Sequence, residues 1–150
     1  MRSMSITLAQ AIKNAIAAEQ SAEKFYLRLA EGCPDDNGRN ILVSIAAQER
    51  GHAATLEKLA SQLVAGQLPE RADALIDGIE TAPAGEEPHN LELTQALEIA
   101  IDAENSAILY YDALASTSTG EAAAFFAQMG KEEEGHADAI RAMLDGIADG

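Results

Sequence analysis

Two Glu-x-x-His pairs, Glu49/His52 and Glu133/His136, stand 84 residues apart, and each follows a separate glutamate, Glu19 or Glu104. On an α-helix, residues three apart share a face, so each pair aims a carboxylate and an imidazole at one point. Two such pairs with two single glutamates make the ligand set of a di-iron four-helix bundle, and a two-metal site is expected. Mixed carboxylate and imidazole ligation suits iron or manganese, with zinc or nickel as substitutes. Iron is preferred because it changes oxidation state, so a pair of ions can pass two electrons to peroxide or dioxygen.

Placement turns a short pattern into a site. Ile12, Ala15 and Ile16 lie seven, four and three residues before Glu19, and Leu97, Ala100 and Ile101 stand likewise before Glu104. Leu42, Ile45 and Ala46 precede Glu49, and Phe126, Met129 and Gly130 precede Glu133. All four glutamates therefore fall in apolar stripes and point inward. Buried carboxylates cost several kcal/mol each unless compensated, and Lys24 and Lys131 belong to other faces. Two divalent cations balance four carboxylates and two neutral imidazoles.

The elements that must hold these residues form a duplicated chain. Ala18-Glu19-x-Ser21-Ala22 recurs as Ala103-Glu104-x-Ser106-Ala107, Tyr26 as Tyr111, and Glu49-x-Gly51-His52-Ala53 as Glu133-x-Gly135-His136-Ala137. Helices are predicted over about 7–31, 36–65, 91–115 and 119–147 within one domain. Thr7-x-x-Gln10 and Ser118-x-x-Glu121 read as capping boxes, Asp35 or Asp36 caps the second helix, and Asn90 the third. Residues 66–90, with Pro69, Pro83 and Pro88, form a long crossover with at most a short helix near 71–79. The fold class is all-α: two helical hairpins joined by that crossover into a four-helix bundle, each hairpin supplying half of a pseudo-symmetric site.

Other residues near the motifs carry less. A third match, Glu86/His89, contains Pro88 and is read as chance. Tyr26 and Tyr111 sit two turns beyond Glu19 and Glu104, where a phenol either hydrogen-bonds a ligand carboxylate or packs in the core. Tyr110 is assigned to packing or surface. Gly51 and Gly135 each cost roughly 1 kcal/mol in a helix, which a close helix crossing or room for a small ligand would explain, with crossing preferred. Glu23, Glu132 and Glu134 are read as solvated charge, and Asp102 and Asp138 are weighed as groups behind the ligands but not adopted.

Composition sets the outer bounds. The net charge of −15, from 25 acidic and 10 basic residues, disfavours nucleic acid and anionic lipid and favours cations. The lone Cys33 precludes a disulfide or four-thiolate site within the chain. No stretch is apolar enough to span a membrane and the first residues lack a signal-type apolar block, so a cytoplasmic protein is expected.

With Glu19, Glu49, His52, Glu104, Glu133 and His136 in place, the sequence resembles the rubrerythrin branch of the ferritin-like superfamily over nearly all its length. The resemblance implies a ferritin-like bundle in which Glu49 and Glu133 bridge two irons, Glu19 and His52 complete one, and Glu104 and His136 the other. It also implies reduction of hydrogen peroxide. Two departures stand out. Ala107 occupies the position of a seventh ligand glutamate, with Ala22 at the symmetric place, and the family's rubredoxin-like domain is missing. Electrons must then come from an external donor, a rubredoxin-like protein or a reductase. The leading expectation is a di-iron oxidoreductase acting on hydrogen peroxide or dioxygen, with Tyr26 and Tyr111 steadying carboxylates or oxidant. Its rivals are a ferroxidase or iron-storage protein and a bundle that metals merely stabilise. A homodimer is expected, with a crossover long enough to exchange hairpins between subunits.

Overall fold

In the computed structural model, which describes residues 8–64 and 92–149, four helices follow one another: α1 Leu8–Glu31, α2 Asp36–Val64, α3 Leu93–Thr117 and α4 Gly120–Asp149. Helix α1 packs mainly on α2 and α3 mainly on α4, the two expected hairpins, while α2 and α4 touch lightly. The crossover at 66–90, the Glu86/His89 pair, Thr7 and Asn90 lie outside the described residues.

The helix ends follow local chemistry. The Asp35 carboxylate accepts the Gly38 N–H at 2.8 Å, capping α2 as expected. Ahead of α3, the Glu92 N–H donates to the Gln95 side chain at 3.3 Å. The Ser118-x-x-Glu121 capping box does not form, and the Ser118 hydroxyl is buried without a partner. Helix α3 runs to Thr117, so Ser118 is the extended residue that ends it rather than the start of α4. The chain reverses instead at Gly120, whose φ of +61° is the left-handed conformation glycine tolerates.

The apolar stripes meet as predicted, but the core they build is split. One cluster gathers Ile12, Ala15, Leu56, Leu114, Phe126 and Met129. A second gathers Phe25, Leu42, Ile45, Leu97, Ala100 and Ile140. Along every helix the glutamate falls between residues of the two clusters, so a polar layer crosses the middle of the bundle. The two apolar ends give the helices their packing free energy and hold that layer in place.

Candidate metal centre

Each helix brings its own contribution to the layer. Glu19 comes from α1, Glu49 and His52 from α2, Glu104 from α3, and Glu133 and His136 from α4, and none is more than 7% exposed. They fall into two groups, Glu19, Glu49, His52 and Glu133 in one and Glu49, Glu104, Glu133 and His136 in the other, each with donor atoms within 4.8 Å of one another. Glu49 and Glu133 belong to both.

The His52 Nδ1 atom lies 3.4 Å from Glu19, 3.3 Å from Glu49 and 3.9 Å from Glu133. His136 Nδ1 lies 3.4 Å from Glu49, 3.4 Å from Glu104 and 2.9 Å from Glu133. Yet Oε1 of Glu19, Glu49 and Glu133 and Nδ1 of both histidines are buried without a hydrogen-bond partner. Leaving five polar atoms unpaired in an interior is costly, and their convergence fits cations that would satisfy all of them. The arginine pairs Arg39–Asp36, Arg50–Glu23 and Arg141–Asp138 lie apart from this layer.

The phenols cross between halves. The Tyr26 hydroxyl donates to Glu104 at 2.7 Å and the Tyr111 hydroxyl to Glu19 at 2.6 Å, so each tyrosine holds the glutamate of the other repeat. Burial, with Glu104 beside Tyr26 and Glu19 beside Tyr111, pushes both phenols well above their ordinary value, and they remain protonated donors. Tyr110 instead donates to the Ala11 carbonyl at 2.7 Å, tying α3 to α1 in a packing role. Replacing Tyr26 with Phe leaves Glu104 Oε2 without its donor. We expect a loss of about 1–3 kcal/mol of stability in denaturant unfolding of the metal-free chain and weaker cation binding in a metal titration, about 10–100-fold.

Burial and crowded negative charge favour protonation of the shared carboxyls Glu49 and Glu133 in the metal-free chain. Burial raises Glu49 well above the usual 4.5, and Glu133 and Glu19 add to the effect. Burial also pushes Glu133 up to about 8, although His136 opposes it. For the imidazoles burial acts downward but is outweighed by carboxylates, Glu19 foremost for His52 and Glu104 for His136, which rise to about 9 and about 10.

Two residues that periodicity did not single out touch the site. Glu132, read as solvated charge, reaches across from α4 so that its carboxylate lies 2.6 Å from His52 Nε2. Gln48, on α2, meets His136 Nε2 at 2.7 Å. Both sit on outward faces beside a buried glutamate of the layer, and only the approach of α2 and α4 turns them toward the opposite histidine. Their signal in the sequence is positional, since Gln48 and Glu132 occupy the same place in the two repeats. Asp102 is exposed, and Asp138 pairs with Arg141 on the surface. Neither reaches the buried layer. A Cβ added at Gly51 or Gly135 would meet nothing within 4 Å, which contradicts a close helix crossing there.

On the α1 and α3 side a cavity of about 20 Å³ adjoins Glu49 and Glu133, lined by Ala18, Ala22, Ala103 and Ala107. That is room for one molecule of about the size of water. Ala107, where the resemblance leads one to look for a seventh ligand, contributes a methyl group to this wall. Among the described residues no helix is long and apolar enough to cross a membrane.

Known structures share the architecture. A crystal structure from Thermotoga maritima, described as a putative ferritin-like diiron-carboxylate protein, superposes with a TM-score of 0.77 at 21% identity, covering 96% of this chain and 98% of that one. A hypothetical protein from Pyrococcus furiosus gives 0.76 at 25% identity, covering 95% and 90%. The comparison with curated proteins yields no match. The family model for rubrerythrin matches residues 10–144, nine-tenths of the sequence and all six buried Glu and His residues of the layer, and the chain belongs to the rubrerythrin family.

Proposed function

We propose that this protein is a non-haem di-iron oxidoreductase that reduces hydrogen peroxide, or dioxygen, with electrons from an external donor. The observation that carries this reading is the pair of overlapping ligand groups sharing Glu49 and Glu133 beside a cavity for one small molecule. Two ferrous ions, when bound, supply the two electrons that convert peroxide and two protons into two waters. Glu49 and Glu133 would serve both ions, Glu19 with His52 and Glu104 with His136 would hold one each, and Tyr26 and Tyr111 hold Glu104 and Glu19 in place by hydrogen bonds. The alanine-lined wall leaves beside Glu49 and Glu133 a space of about 20 Å³, about the size of one water molecule. The single cysteine of this sequence, Cys33, cannot by itself hold an iron–sulfur or rubredoxin-type centre. Reducing equivalents would therefore come from a separate rubredoxin-like protein or reductase.

The net charge of −15 favours a second reading, collection and oxidation of Fe(II) as an iron-handling protein. Stopped-flow mixing of the anaerobically loaded diferrous protein with peroxide or dioxygen separates the two. The first reading expects reoxidation by peroxide at least about tenfold faster, a barrier difference of about 1.4 kcal/mol, with no mineral growth. Many Fe(II) ions oxidised per chain by dioxygen would establish the second instead.

A further inference from the structure

Gln48 and Glu132 set the two halves of the site apart at the imidazoles. The two halves match in every ligand type and in the tyrosine behind each terminal glutamate. They differ at the outer edge of the imidazoles. His52 Nε2 meets the Glu132 carboxylate at 2.6 Å, while His136 Nε2 meets the Gln48 amide oxygen at 2.7 Å, nearly the same geometry with one acceptor charged and the other neutral. The Gln128 amide donates to the second Glu132 oxygen at 3.1 Å and steadies that carboxylate.

Resting on the two-metal reading above, we infer that the two cation positions are inequivalent and fill in order. The group of Glu19, Glu49, His52 and Glu133 loads first because Glu132 holds His52 by a charged acceptor, while Gln48 holds His136 by a neutral one. With Nδ1 turned into the cluster, Nε2 carries the proton of a metal-binding imidazole and donates it outward. A carboxylate accepts that hydrogen bond more strongly than an amide, leaving Nδ1 a better electron donor. Its negative charge also adds to the attraction for a cation in the adjoining group. Such partners behind a ligand histidine change metal affinity by about 10–100-fold. Solvent at Glu132, whose side chain is 40% exposed, moderates the Coulomb part but leaves the hydrogen bond intact. Glu132 is thus a positioning residue for the first cation and Gln48 for the second.

Diamagnetic Zn(II) tests the order directly on the full chain. Labelling at histidine confines the ring signals in the NMR spectrum to three residues. The first equivalent of zinc is expected to shift the His52 signals while those of His136 stay near their metal-free positions, and the second to shift His136. Glu132→Gln should bring the two steps together, and the swapped pair Q48E/E132Q should reverse their order. Parallel shifts of both histidines in the unaltered protein, or an unreversed order in the swapped variant, would overturn the inference. Zinc bound at saturation separates that failure from a deeper one. Two ions per chain with parallel shifts defeat only the ordering, whereas fewer than two defeat the two-metal reading as well.

Discussion

Replacing Glu133 with Ala is expected to abolish binding of both cations, whereas replacing Glu19 with Ala is expected to leave one. The difference follows from membership, since Glu133 belongs to both ligand groups and Glu19 to one. A four-ligand divalent site of about 10–16 kcal/mol assigns each ligand about 3 kcal/mol, or about 100-fold in affinity. Glu133→Ala takes that loss at both positions, Glu19→Ala at one. Equilibrium dialysis with metal analysis reads the outcome as ions retained per chain: two for the unaltered protein, one for Glu19→Ala, none for Glu133→Ala. Thermal unfolding gives a second reading, because a cation at 100 times its Kd adds about 2.7 kcal/mol per independent site. The metal-dependent rise in Tm should vanish in Glu133→Ala and fall by about half in Glu19→Ala. Retention of two ions by Glu133→Ala would show that the overlap of the two groups does not govern binding.

The layer is written plainly along the chain. Each glutamate occupies a core position of its own helix, and an amphipathic helix with a carboxylate in its apolar stripe leaves little freedom about where that carboxylate goes. The tyrosines were half legible. Seven-residue spacing puts Tyr26 on the face of Glu19, but the phenol extends past its own helix to Glu104, a choice made by the packing of α1 against α3. Glu132 and Gln48 were illegible for the converse reason: helical phase assigns them outward, and the light seam between α2 and α4 brings each to the histidine opposite. Local capping rules worked where a segment was free to obey them, as at Asp35, and failed at Ser118, where the extension of α3 to Thr117 left too few residues for a separate cap.

The metal-free protein should lose stability as pH rises from about 5 to 10, opposite to the metal-loaded form. Glu133 is raised from 4.5 to about 8, Glu49 is raised well above 4.5, and His52 and His136 move from 6.5 to about 9 and about 10. For a group raised on folding, the native state binds more protons than the unfolded chain between the two values, so stability falls with rising pH across that interval. Each contribution is fully present below the unfolded value and lost as pH passes the folded one. The carboxyl groups act first, from about pH 4.5, and the histidines extend the loss past neutrality. Glu132 runs the other way, lowered chiefly by its hydrogen bond to His52, and its contribution disappears only in acid. Cations compete for the same atoms as these protons, so their affinity climbs over the window in which the metal-free fold weakens. Tm measured every half unit with chelator and with excess Zn(II) should therefore diverge from pH 5 to 9, the chelated curve falling and the gap widening. Calorimetry in buffers of different ionisation enthalpy should register proton release on binding at neutral pH. A chelated Tm that rises across this range would mean that protons do not occupy the layer in the absence of metal, and the balance of charge between the two states would have to lie elsewhere.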